Sequence, residues 1–318
     1  MRWRFISLVG LFFLIAITCQ AVELDQGKAN YLEALYLHLH KNPELSFKED
    51  RSAARMADEL ETLGFEVTRN FGGTGVVAKM INGEGPTVLI RADMDALPIQ
   101  EQTGLDYASN VVGVSIDGQE KPVMHACGHD VHMTVLIGTA MQLAASRKQW
   151  QGTLIMIAQA AEERGAGAMA MLEDGLFTKF PRPDYNRALH VNAGIPAGKV
   201  GYVAGAALAN VDSIDITVHG VGGHGAYPHW GKDPIVLSAQ IINAMQTIVS
   251  RELSPLEPAV LTVGSIHGGH KHNIIPDEVK MQLTLRSYSM DIREQMIAAI
   301  KRMVKNLALA AGIPDDKM

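Results

Sequence analysis

Residues 87–98 read TVLIRADMDALP, a short apolar run that opens into acidic and turn-forming residues. A run of this length with such punctuation reads as a buried strand over 87–91, leaving Asp93 and Asp95 just past its C-terminal end. The arrangement recurs twice. Residues 153–157 form a second apolar run that leads to Ala161-Glu162-Glu163, and 187–191 form a third, which carries His190. Helical spacing of apolar residues predicts helices over 28–41, 49–63 and 131–147, with a Gly/Ala-rich helix over roughly 165–176. Asn42-Pro43 separates the first two, because proline disfavours helix at the residue before it. Strands that alternate with helices indicate an α/β sheet. Ligands of such sheets bind in the crevice beyond the strand C-terminal ends, where Asp93/Asp95, Glu162/Glu163 and His190 all fall.

After about residue 206 the pattern changes. Residues 213–219 and 279–286 alternate apolar and polar side chains, as half-exposed strands do, and 259–266 reads as a further strand. Residues 233–250 and 291–311 are amphipathic helices. This β-α-β-β-α order predicts a small α+β domain with its helices on one face of a sheet, and a domain boundary near Gly205.

The 318 residues suffice for two domains of ordinary size, and 47% hydrophobic content supports an ordinary core. A formal net charge of −6 without a basic stripe argues against a nucleic-acid partner. The opening MRWRFISLVGLFFLIAITCQA combines a basic start, Arg2 and Arg4, with an apolar run over 5–18 and small residues at Cys19 and Ala21. It reads as a signal peptide over 1–21, since the apolar run is shorter than the roughly 18–20 residues of a membrane span; an uncleaved anchor is the alternative. The expectation is an exported chain, periplasmic or secreted, that starts near Val22 and has no membrane association after cleavage. Cys19 and Cys127 are the only cysteines, so a chain without its leader has no internal disulfide.

Cys127 has unusual neighbours. In His125-Ala126-Cys127-Gly128-His129-Asp130-Val131-His132, three histidines and the thiol lie within eight residues, just before a helix. Thiolate and imidazole suit zinc and neighbouring divalent metals, and the absence of a C-x-x-C partner argues against a closed structural zinc site. Glu162-Glu163 alone could be an acidic helix start. Next to the Cys/His cluster the pair can divide its work, one carboxylate binding metal while the other takes a proton from the attacking water. Adjacent strand positions, which face opposite ways, would separate those roles. His190 is either a satisfied core histidine or a further ligand.

The motifs RADMDALP (91–98), MHACGHDVHM (124–133), AEE (161–163), ALHV (188–191), GVGGHGAYPHWGKDP (220–234) and HNIIPDEV (272–279) resemble the M20 metallopeptidase family. They are most similar to its amidohydrolase branch of hippurate hydrolases, N-acyl-amino-acid amidohydrolases and auxin-conjugate hydrolases. The resemblance covers residues 30 to 312, with the motifs in family order. It implies a zinc-exopeptidase-like catalytic domain over 22–205, a helix-flanked mixed α/β sheet, with an inserted ferredoxin-like α+β lid over 206–312 that mediates homodimers. Two divalent ions per subunit, Zn, Mn, Co or Ni, are implied, with Cys127, His129, Glu163 and His190 as ligands and Glu162 as general base. His224 matches a lid histidine that stabilises the oxyanion, Asn273 and Arg286 match positions that hold substrate, and Asp95 reads as a residue that orients ligands. The implied substrate is an N-acyl amino acid or similar small amide.

Two departures from the branch stand out. Ala160 occupies a position that is usually proline. The family also returns from the lid, over residues here numbered 313–318 and beyond, to a final histidine ligand in an H-x-P-x-F motif, and no histidine follows His272. The sequence therefore carries the expectation of a C-terminally shortened relative with an incomplete catalytic domain and weak metal binding. Its alternative reading is a non-catalytic relative that pairs through the lid. A thiol hydrolase built on Cys127 is a third reading, and it leaves the two glutamates and the other histidines without a role.

Overall fold

The computed structural model describes residues 24–314 and 316. The leader expected over 1–21, with Cys19 and the cleavage point before Val22, lies outside the described residues. No described helix is long and apolar enough to cross a membrane. The chain separates into two compact units between Gly194 and Ile195. Residues 195–209, a stretch that includes Gly205, form only turns and bends.

The first unit runs α1 (Gln26–Lys41), α2 (Asp50–Thr62), β1 (Glu66–Thr68), β2 (Val76–Asn82), β3 (Thr87–Asp93), β4 (Val112–Val114), β5 (Glu120–Pro122), α3 (His129–Ala145), β6 (Gly152–Gln159), α4 (Gly167–Glu173), α5 (Leu176–Lys179) and β7 (Tyr185–Ala188). Five strands form one mixed sheet in the order β1-β2-β6-β3-β7. β3 lies parallel to both β6 and β7, and β2 is antiparallel to β6. Burial on both faces explains why β2 and β6 are mostly apolar, with Lys79, Asn82, Thr153 and Gln159 as the polar exceptions. Val76, Ala78 and Met80 on β2, with Leu154, Met156 and Ala158 on β6, face the core built by Leu35, Leu39, Met56, Leu60, Met133, Leu136 and Ile137 of the first three helices. The intervening Val77, Ile155 and Ile157 pack with Phe71, Met171 and Leu176 on the other face. Truncating a fully buried residue such as Ile137 to alanine costs about 2–5 kcal/mol. Helices thus flank a mixed α/β sheet whose parallel strands deliver their C-terminal ends to one edge.

The second unit contains β8 (Asn210–His219), β9 (Gly223–His224), α6 (Pro234–Thr247), β10 (Ala259–Gly268), β11 (Ile274–Ile275), β12 (Glu278–Ser287) and α7 (Met290–Ala310). β12 is the centre of the antiparallel sheet β10-β12-β8. Its alternation is regular: Val279, Met281, Leu283 and Leu285 are buried with Ile241, Met245, Met296 and Ile300 of α6 and α7, while Lys280, Gln282 and Arg286 are exposed. α6 starts sharply because Asp233 caps Ile235 N at 2.8 Å and Pro234 presets the first helical φ. A two-residue ribbon pairs β9 with β11.

Candidate metal centre

The segment after β6 does not continue the strand. Ala161 has φ +47°, a left-handed conformation that costs a non-glycine residue about 1–2 kcal/mol. Its N–H donates to Glu49 Oε1 at 2.8 Å. The next two N–H groups donate to one carboxylate: Glu162 N to Asp95 Oδ1 and Glu163 N to Asp95 Oδ2, each at 3.0 Å. Glu49 and Asp95 are both buried. Three successive backbone donors thus meet two buried carboxylates, which fixes the turn. Alternation on a strand therefore does not separate the two glutamates. Both turn inward, with Glu162 Oε2 and Glu163 Oε1 each 3.8 Å from His129 Nε2.

His129 is the first residue of α3 and is fully buried. Neither of its ring nitrogens makes a hydrogen bond, although Nδ1 lies 3.4 Å from Asp95 Oδ1. Gly128 precedes it at φ +81°, and a Cβ there would lie 2.4 Å from Val191 Cγ2, so glycine is required by conformation and by space. That close approach brings the 190–191 segment against the 127–129 loop. Cys127 Sγ lies 3.4 Å from His190 Nε2, while His190 Nδ1 donates to Val191 O at 2.7 Å. This bond leaves the Nε2 lone pair facing the thiol. His190 itself sits just beyond β7, which ends at Ala188 rather than at 191 as the sequence pattern predicts.

A second layer holds these groups. His132 Nδ1 donates to Asp93 Oδ1 at 2.6 Å, and His132 Nε2 accepts from Val191 N at 2.9 Å. Arg91 Nη1 donates to Asp93 Oδ2 at 2.7 Å. Burial alone would raise the Asp93 carboxyl, but the His132 hydrogen bond and the charges of Arg91, His129 and His132 hold it at about 2. Burial also works against the charged form of His129, and its carboxylate neighbours, Asp95 first, outweigh this and raise its pKa. For Cys127, burial and the adjacent Glu163 carboxylate push the thiol up to about 12.

These groups suit a divalent cation. Cys127, His129 and His190 present donor atoms within 4.8 Å of one another, and so do His129, Glu162 and Glu163. The two sets share His129. Thiolate, imidazole and carboxylate are the donors of zinc-type sites. The nitrogens of His129 and the buried Glu163 Oε1 lack the hydrogen bonds that most buried polar atoms make. A cation would take their place. The thiol-hydrolase reading fares worse, since a reactive cysteine needs a lowered pKa and Cys127 has a raised one.

The remaining sequence-derived candidates lie in the second unit. His224 on β9 pairs in register with Ile274 on β11, next to Asn273. Ala226 N donates to His224 Nδ1 at 3.1 Å, which leaves the ring hydrogen on Nε2. Asn273 Oδ1 is buried without a hydrogen-bond partner. Arg286 is exposed on β12, opposite Val260 and Val211 and outside the β9–β11 ribbon.

Glu49, Asp93 and His132 are the members that sequence reasoning left without a role. His132 stood in the Cys/His cluster, and Asp93 beside Asp95, so both carried a signal. Glu49 carried none.

A family model for Peptidase family M20/M25/M40 matches residues 89–314. The chain is 41% identical to an N-acetyl-L-cysteine deacetylase of Bacillus subtilis over 260 residues, covering 81% of this chain and 60% of that one. It is 40% identical to a hippurate hydrolase of Campylobacter jejuni over 283 residues, covering 88% and 70%. Among solved structures, a Bacillus subtilis dinuclear metal binding peptidase from the M20 family superposes with a TM-score of 0.73 at 32% identity, over 90% of this chain and 72% of that one. The chain thus spans less than two thirds of the length of the deacetylase.

Proposed function

The chain belongs to peptidase family M20/M25/M40, and we propose that it is a divalent-metal-dependent amidohydrolase that cleaves N-acyl amino acids. One observation carries the reading. Glu162 Oε2 and Glu163 Oε1 each come within 3.8 Å of Nε2 of a fully buried His129, whose donor atoms also cluster with those of Cys127 and His190. The names of the two relatives, one acting on N-acetyl-L-cysteine and one on hippurate, support the substrate class, since both compounds are amino acids acylated on nitrogen.

In this reading Cys127, His129, Glu163 and His190 hold Zn, Mn, Co or Ni. Such ions, when bound, lower the pKa of water and polarise a carbonyl. Glu162, with its side chain 40% exposed, is the most open of the acids around His129 and takes the proton of the attacking water. It then returns that proton to the departing nitrogen as the C–N bond breaks, so a carboxylate and a free amino acid leave. Asp95 keeps Glu162 and Glu163 in place through their backbone N–H groups. His224, with hydrogen on Nε2, is suited to donate to an oxyanion, and Asn273 and Arg286 are assigned to the substrate. A homodimer built on the second unit and export through residues 1–21 belong to the same proposal. The test is hydrolysis of N-acetyl-L-cysteine and of hippurate by purified chain loaded with each of the four metals. Turnover that a chelator abolishes and metal restores is expected; metal-loaded chain inert toward both compounds would overturn the reading.

A further inference from the structure

Glu49 has no part in the chemistry above, yet it is completely buried. It lies immediately before α2 and on a different element from every candidate ligand. A charged carboxylate in such a place is expensive unless its oxygens are satisfied. One oxygen accepts from the Thr74 hydroxyl and the other from Ala161 N. The second bond joins residues 112 apart in sequence, at the one backbone position of the 159–163 segment that is left-handed. The turn is gripped from the other side too, because Gly167 N donates to Ala161 O at 3.1 Å. A Cβ on Gly167 would fall 1.6 Å from Ala160 O. Without the Glu49 contact, the Ala161 N–H would be a buried donor in a backbone conformation that alanine disfavours. Relaxing toward a right-handed turn would then redirect Glu162 and Glu163, the next two residues.

We propose that Glu49 is a positioning residue: by accepting the Ala161 N–H it holds the left-handed turn that aims both glutamates at His129. The assignment rests on reading Glu162 and Glu163 as members of the metal centre, and its primary readout is metal binding, so it is separable from substrate turnover. Co²⁺ affinity and the Co²⁺ absorption spectrum are measured for the full chain and for Glu49→Ala, Glu49→Gln and Thr74→Val. Glu49→Ala is also combined with Ala161→Gly, and kcat and KM are measured for hippurate.

Groups that orient ligands typically contribute about 10–100-fold to affinity or activity. Glu49→Ala is therefore expected to weaken Co²⁺ binding at least about tenfold, to change its spectrum, and to lower kcat more than it changes KM. Glu49→Gln keeps an amide oxygen for Ala161 N and stays within about threefold of the parent. Ala161→Gly removes the left-handed penalty, so Glu49→Ala costs less in that background. Thr74→Val, which frees only the second oxygen, shifts affinity in the same direction by a smaller factor, and it decides the matter if Glu49→Ala does not fold. Parental Co²⁺ affinity and spectrum in Glu49→Ala or, failing that, in Thr74→Val would overturn the proposal, as would a Glu49→Gln as impaired as Glu49→Ala. A parent that binds Co²⁺ without hydrolysing hippurate refutes the function and leaves Glu49 to be judged by the metal. A parent that binds no Co²⁺ refutes both.

Discussion

Glu163→Gln is expected to move the stability of the protein in opposite directions with and without metal. In the metal-free protein Glu163 Oε1 is buried and has no hydrogen-bond partner. Burial, more than the neighbouring charges, raises its carboxyl pKa above the ordinary value. A raised carboxyl pKa means that the ionised form present at neutral pH costs stability. An unsatisfied buried polar atom costs about 1–3 kcal/mol. A neutral amide of the same shape relieves the charge part of that, about 1 kcal/mol, or about 2–4 °C in Tm for a unit of this size. With metal the sign reverses. At a metal concentration one hundred times its Kd, the parent gains about 2.7 kcal/mol. A variant whose Kd has risen about a hundredfold gains only about 0.4 kcal/mol under the same conditions. Thermal unfolding of the first unit, followed by near-ultraviolet circular dichroism, is recorded in chelator and then in Zn²⁺. The variant should melt above the parent in chelator and below it in Zn²⁺. A variant that melts lower in chelator and gains as much from Zn²⁺ as the parent would refute the assignment of Glu163 as a ligand.

Glu162→Gln should keep parental metal content and lose about 10²–10⁴-fold in kcat, the contribution of a general base; loss of metal in elemental analysis would remove the distinction from Glu163. Asp93, held at about 2 against 3.8 for the unperturbed group, contributes about 2 kcal/mol that is present above the unfolded pKa and lost as pH falls through the folded one. Urea denaturation in chelator should accordingly show Asp93→Asn with a flatter decline between about pH 4 and pH 2 than the parent, and parallel declines would contradict it. Gly128→Ala forces a Cβ to 2.4 Å from Val191 Cγ2, so overpacking should cost about 1–3 kcal/mol and separate His190 from Cys127, with Co²⁺ affinity falling. Gly104→Ala, also at positive φ but with open space around it, should leave that affinity unchanged, and equal losses would place the effect in backbone strain alone. N-terminal sequencing of protein from the medium or periplasm should begin near Val22, and an intact Met1 on cytoplasmic protein would contradict export.

The periodic parts of the molecule were legible because they are set by burial. Residues 153–157 read as a buried strand, and β6 packs alternate side chains into cores on both faces. The β12 alternation was likewise visible in the sequence. Helix ends were less so: α3 starts at His129 rather than 131 because a left-handed Gly128, with no side-chain cap, opens it. The membership of the candidate site was visible in Cys127, His129, Glu162, Glu163 and His190, whose donor atoms the fold brings together. Its geometry was not. Reasoning from strand alternation sent the two glutamates to opposite faces, whereas a left-handed alanine turns both inward. Nothing in the local sequence announces that conformation, because the group that satisfies it is Glu49, from another element. The same holds for His132, whose bonds to Asp93 and Val191 are tertiary contacts between segments far apart in the chain.

Anaerobic Co²⁺ titration of the full chain, beside its Cys127→Ser variant, addresses the metal centre most directly. A Cys127 thiolate shared with His129 and His190 predicts saturable Co²⁺ binding with a thiolate-to-cobalt charge-transfer band that Cys127→Ser abolishes, and hippurate turnover that rises with the Co²⁺ bound. Absence of Co²⁺ binding, or binding with a spectrum that Cys127→Ser leaves unchanged, would contradict it.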